Sequence, residues 1–181
     1  MEARDRGSRA LFASRTLLAF ALLAALVPRA ALAEHTPPGF VKPVDPFLFA
    51  AADAALAAAE QALRHPGCDA IFTDFHDPSG LPLTASLERL GMPADAFLRS
   101  LRYVNGEHLP LCRPGVLAAT RTGSRVVYLC GMRFASAQRT NPRLGAALIL
   151  HEALHALGLS ENPPTSLEIT AGVLARCTST R

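Results

Sequence analysis

The stretch HEALHALGLSE, residues 151–161, carries the side chains best suited to chemistry in this chain. His151, Glu152 and His155 form H-E-x-x-H. On a helix, residues i and i+4 project from one side, so both imidazoles can reach one ion. Glu152 is rotated about 100° from His151, which sets its carboxylate beside such an ion instead of on it. Zinc takes imidazole nitrogens at about 2.0–2.1 Å and lowers the pKa of a bound water towards ~7. A carboxylate next to that water can accept its proton and pass it to a leaving amine. The spacing therefore points to Zn2+, with His151 and His155 as ligands and Glu152 as the catalytic base.

Two imidazoles leave a zinc site incomplete, and a third protein ligand is expected. Glu161 lies six residues beyond His155, past Gly158. Glu168 is the alternative, because a short helical hairpin would set the first turn of a following helix opposite the last turn of the motif helix. A distant residue such as His76 or His108 is a lesser option. Plainer roles exist for the same residues: a polar helix edge for the H-E-x-x-H side chains, a solvated loop carboxylate for Glu161, and a helix cap for Glu168.

The motif needs a helix, and the flanking residues provide one. Asn141-Pro142 is a helix start, since Asn caps and Pro suits the first helical position. The helix then runs through LGAALILHEALHALGL to Gly158, a natural stop. ENPPTS reads as a turn. TSLEITAGVLARC (165–177) reads as a last helix, with Thr165 and Glu168 at capping-box spacing. Upstream, VLAATRT (116–122) and RVVYLCGMRF (125–134) read as a β-hairpin about Gly123-Ser124. PFLFAAADAALAAAEQALRH (46–65) is an Ala-rich helix ended by Pro66-Gly67. Residues 68–83 read as irregular, 84–90 and 93–103 as two short helices, and NGEHLPLCRPG (105–115) as a loop. Phe72, Phe75 and Phe97 are core candidates, and Asp74 and Asp77 suit turns. The expected fold is α+β, mostly helical, with a short β-hairpin or sheet preceding the motif helix.

Residues 1–33 have the form of a secretory signal peptide. Arg4, Arg6, Arg9 and Arg15 make a basic leader, TLLAFALLAALV (16–27) an apolar run, and Ala31-Leu32-Ala33 a cleavage site before Glu34. That run is shorter than the ~20 residues that span a bilayer. Residues 34–45 form an extended Pro-rich lead-in, and 46–181 a single domain. Five of the 18 Lys+Arg lie in the leader, and two of the 15 Asp+Glu. The mature chain thus carries 13 of each and no net charge. Neither a nucleic-acid partner nor, after signal removal, a membrane partner is expected. Cys68, Cys112, Cys130 and Cys177 all fall in the exported part, which suggests two disulfides in the periplasm or outside the cell. The favoured pairing is Cys68–Cys112 with Cys130–Cys177.

Over residues 142–168 the sequence resembles the zincin metallopeptidases. H-E-x-x-H-x-x-G-x-x-E matches metzincin spacing at His151, Glu152, His155 and Gly158, with Glu161 where His is usual. Glu168 as third ligand would instead resemble the gluzincins. No Met follows Met132, so the metzincin methionine turn has no counterpart, and a small zincin-like domain is the expectation. The end of the chain, with ENPP-S and a final Arg-Cys, also resembles small exported bacterial proteins of unassigned function. The zincin resemblance implies a peptide or protein substrate bound in extended form against an edge strand, a place that RVVYLCGMRF occupies in the chain. Tyr128 and His108 are weak candidates for substrate contact, Tyr128 as an oxyanion partner. The expected function is an exported zinc-dependent hydrolase, a peptidase in the first instance. Two alternatives stand beside it: a disulfide-bonded periplasmic binding module with a structural or vestigial metal site, and a zinc amidase acting on a cell-wall or other non-peptide bond.

Overall fold

A computed structural model describes residues 45–177. The leader, its cleavage point at Ala33–Glu34 and all of the lead-in but Asp45 lie outside the described residues. Asp45 itself caps the first helix, α1 (Pro46–Leu63), accepting from the Phe47 and Leu48 amides. Pro46 opens α1 at a position where its missing N–H is no loss. Leu48, Ala52, Ala55, Leu56, Ala59 and Leu63 repeat at three- and four-residue spacing and bury one face.

Two single-turn helices follow, α2 (Pro66–Asp69) and α3 (Ile71–Asp74), in a stretch expected to be irregular. Ile71 and Phe72 are buried there. Next come α4 (Leu83–Leu90) and α5 (Ala94–Ser100). The helix expected over 93–103 stops at Ser100, and β1 (Arg102–Asn105) takes its place. Tyr103, fully buried with its hydroxyl donating to the Leu98 carbonyl, anchors that strand. β2 (Ala118–Thr120) and β3 (Val126–Leu129) pair antiparallel as expected, with Ala119 opposite Tyr128. β1 pairs parallel to β3 on its other side, so the order is β1-β3-β2. A strand continuing to residue 134 does not form. Gly131, at φ 57°, turns the chain into α6 (Gly131–Thr140).

The motif helix, α7 (Pro142–Leu157), sits at the centre of the fold. Asn141 accepts from the Leu144 amide, and Pro142 begins the helix, as the sequence implies. From Gly145 to Leu157 every residue except Leu148 is buried. A helix covered on all sides needs partners on all sides. α1, α6, α8 (Ser166–Cys177) and β2 supply them. The result is α+β and mostly helical, around one core that includes Phe72, Phe97, Phe134 and Tyr103, with Phe75 packed at its edge.

The disulfides differ from the favoured pairing. They join Cys68 to Cys177 and Cys112 to Cys130. The reason is proximity: α8 returns across α2, bringing Cys177 and Cys68 to a Cα separation of 4.4 Å. Cys112, in a 3₁₀ turn (Pro110–Cys112), lies against the end of β3 and meets Cys130 at 5.3 Å. No spacing in the sequence records either approach.

Candidate metal centre

The last two turns of α7 carry the site. His151, Glu152 and His155 are 3%, 3% and 6% exposed, in a helix otherwise filled with Ala, Leu and Ile. Gly158 ends the helix at φ 122°, a conformation L side chains rarely adopt. The chain reverses there and carries Glu161 back toward the helix. Glu161 Oε1 lies 3.4 Å from His155 Nε2 and 3.8 Å from His151 Nε2, and the two Nε2 atoms are 3.0 Å apart. Among the described residues this is the one group of three His, Cys, Asp or Glu side chains whose donor atoms fall within 4.8 Å of one another.

The hydrogen bonds around the imidazoles explain why they converge. His155 Nδ1 is 2.7 Å from the Leu159 carbonyl oxygen, which can only accept. Nδ1 therefore carries a proton, and this bond turns Nε2 towards the site. His151 Nδ1 is 2.9 Å from the Thr170 hydroxyl on α8. Burial, and then the neighbouring His155, push the His151 pKa down to about 3, so this ring is neutral at physiological pH. Partners on the far nitrogens of ligating imidazoles are a regular feature of metal sites.

The donor set fits a small divalent cation. Ligands about 2.0–2.1 Å from a tetrahedral ion stand roughly 3.3–3.4 Å from each other. The observed separations of 3.0, 3.4 and 3.8 Å straddle that value. Two imidazole nitrogens and a carboxylate oxygen thus converge on one point, a donor cluster that a cation would stabilise.

Glu152 lines the same cleft but is not part of that group. Its Oε2 is buried and makes no hydrogen bond, and neither does the buried Thr120 Oγ1 on β2. Burial raises the Glu152 pKa to about 8. The nearby Thr120 hydroxyl opposes that rise without reaching hydrogen-bond geometry, and the Glu161 charge adds to it. This carboxyl thus stands one residue from His151 with its buried oxygen unsatisfied.

A cleft of about 600 Å³ opens over these groups, walled by β2 and the residues flanking it. The strand beside the site is β2, an edge strand; β3, expected in that place, is paired on both sides. Glu168 is not at the site. It is exposed and closes a capping box, its Oε2 accepting from the Thr165 amide and hydroxyl, each at 2.8 Å. Those two bonds hold its carboxyl below the usual range. His76 and His108 are exposed in loops, and His76 Nδ1 lies by the Asp74 carbonyl. Tyr128 does not line the cleft; it stands on β3 against Gly106.

Several contributors escape sequence reasoning. The Leu159 carbonyl is backbone and leaves no side-chain signal. Thr170 stands 19 residues from His151, and Thr120 belongs to another layer. The β2–β3 turn is tied to the motif helix by Gly123 N–H donating to the His155 carbonyl at 2.9 Å. Comparison with models of known protein families, with curated proteins and with solved structures finds no match.

Proposed function

We propose that this chain is an exported zinc-dependent hydrolase that cleaves peptide bonds. The observation that carries the proposal is the convergence of His151, His155 and Glu161 beside a buried carboxyl, Glu152, that has no partner of its own. His151 Nε2, His155 Nε2 and one Glu161 oxygen would hold the ion, leaving a fourth position open, the mark of a catalytic zinc site. When bound, zinc supplies Lewis acidity, polarising a carbonyl and making a nearby water more acidic.

The remaining steps belong to the chain. Glu152 Oε2 accepts a proton from the attacking water as the water oxygen bonds to the scissile carbon. The same oxygen then releases that proton to the departing amine nitrogen as the C–N bond breaks, so that water is consumed and two chain ends form. A nearby dication favours the charged carboxylate and offsets the burial that otherwise keeps Glu152 protonated. The edge position of β2 in the sheet favours a peptide over other substrates, because an extended chain can add to an edge strand through backbone hydrogen bonds. Two disulfides suit an oxidising compartment, in keeping with export. Among the described residues no helix is long and apolar enough to cross a membrane.

Metal analysis of the purified protein, joined to a peptide-library digest, tests the reading. One zinc per chain, lost with activity on His155→Ala, is the expected result. Zinc content unchanged by His155→Ala refutes the site. Zinc bound without cleavage of any peptide refutes the peptidase and favours a structural metal or a non-peptide amide substrate.

A further inference from the structure

We propose that Arg113 and Arg121 make the cleft selective for substrates bearing a carboxylate close to the cleaved bond; the inference rests on the hydrolase reading for its site. Both arginines line the cleft with His151, Glu152, His155 and Glu161. Arg113 precedes the edge strand β2 and Arg121 directly follows it. A peptide lying along β2 would occupy the cleft that both of them line.

Their guanidiniums are free to take a ligand, unlike those of several arginines elsewhere in the fold. Arg99 pairs with Glu60 and Asp95, and Arg176 with Asp74. Arg125 bonds to Ser100 and lies over Phe97, while Arg133 donates to the Cys112 and Arg113 carbonyls. By contrast, the side chains of Arg113 and Arg121 enter no ion pair and no hydrogen bond among the described residues, and both residues are exposed. The acids of the cleft do not neutralise them. Glu161 turns an oxygen to the imidazoles, and Glu152 is buried behind them. With a divalent cation in place, the ion and the two guanidiniums outweigh both carboxylates, and the cleft is electropositive. Guanidinium forks suit the planar geometry of a carboxylate.

The backbones bearing these side chains are held in place. The Arg113 carbonyl accepts from Arg133 Nη1 at 2.7 Å and from the Val116 amide at 3.1 Å, next to the Cys112–Cys130 bridge. Arg121 opens the turn in which Ser124 N–H donates to its carbonyl at 2.8 Å, and Gly123 in that turn is bonded to His155. Each guanidinium is thus mounted on a segment whose position relative to the site is set before a substrate arrives, which lowers the ordering cost of using it. An extended substrate advances about 3.3 Å per residue, so acidic groups a few residues from the scissile bond come within reach of one arginine or the other. The carboxylate can come from an Asp or Glu side chain or from the C-terminus of the substrate.

The test uses the full exported protein carrying Glu152→Gln, which permits binding without turnover, and labelled short peptides read by fluorescence anisotropy. Peptides with Asp or Glu are compared with their Asn or Gln counterparts, each with a free or an amidated C-terminus. Carboxylate peptides are expected to bind about three- to tenfold tighter at low salt, with the margin shrinking as salt rises. The margin disappears on adding Arg113→Ala with Arg121→Ala, and Arg113→Glu with Arg121→Glu transfers it to Lys-containing peptides. A margin confined to free C-termini assigns the terminal carboxylate, and one that survives amidation assigns the side chain. Equal binding of acid and amide peptides, or a margin that persists in the double variants, overturns the inference. Wild-type cleavage of library peptides without acidic preference overturns it while leaving the hydrolase standing. An Arg-dependent binding margin without any cleavage upholds it while removing the peptidase.

Discussion

Glu152→Gln should make the metal-free protein more stable while abolishing its hydrolytic activity. The Glu152 carboxyl ionises near 4.5 in an open chain and near 8 in the fold, chiefly because burial penalises the anion. The folded pKa is raised, so the stabilising contribution is complete below pH 4.5 and drains away as pH climbs towards 8. Each pKa unit corresponds to about 1.4 kcal/mol. At pH 7 the unfolded chain has released the proton and the folded chain largely retains it, a penalty of roughly 3 kcal/mol. Gln has the shape of the protonated acid and never ionises, and Thr120 Oγ1 offers its amide an acceptor. The expected gain is about 2–3 kcal/mol at pH 7 in the presence of a chelator, or roughly 5–10 °C in melting temperature for a domain of this size. Below pH 4.5 the gain should vanish. His151 contributes the opposite slope: its folded pKa is depressed to about 3, so its contribution is present above 6.5 and lost as pH falls towards 3. That slope is common to both proteins and cancels in their difference. Thermal melts of wild type and variant from pH 4 to pH 9, with metal removed, measure the effect. A difference independent of pH, or a variant less stable at pH 8, would refute the assignment of Glu152 as a buried, unpartnered carboxyl.

Other substitutions separate the acids and the support around the imidazoles. Glu161→Ala should weaken metal binding by more than the roughly ten- to hundredfold typical of losing an outer hydrogen-bond partner, whereas Glu168→Ala should leave metal content intact and lower stability modestly through the lost capping box. Metal titration with parallel urea unfolding checks both, and metal loss in Glu168→Ala would reverse the assignment. Thr170→Val should reduce metal affinity about tenfold with little change in fold, because His151 loses the group that orients its ring. Thr170→Ser should restore it, and competitive chelation reads out both changes.

The motif helix was legible in the sequence because each of its signals is local. Asn141 and Pro142 start it, Gly158 stops it, and the four-residue interval between His151 and His155 puts their rings together wherever the helix lies. The capping box of Thr165 and Glu168 is equally local, and it commits Glu168 to a role away from the imidazoles. β1 was hidden for a different reason. Its four residues continue a helical pattern in the sequence, and only the free side of β3 turns Tyr103 and Val104 into a strand.

The sequence alone determined that two imidazoles share one helix face, because spacing along a helix follows from backbone geometry. It named Glu161 and Glu168 as rivals without separating them, since the choice depends on where the chain goes after Gly158. Tertiary structure decided that choice, the disulfide pairing, the strand that faces the cleft, and the partners that aim each imidazole. All of these are contacts between segments far apart in the chain. They are set by how the elements pack around α7, a property that no local window of residues contains.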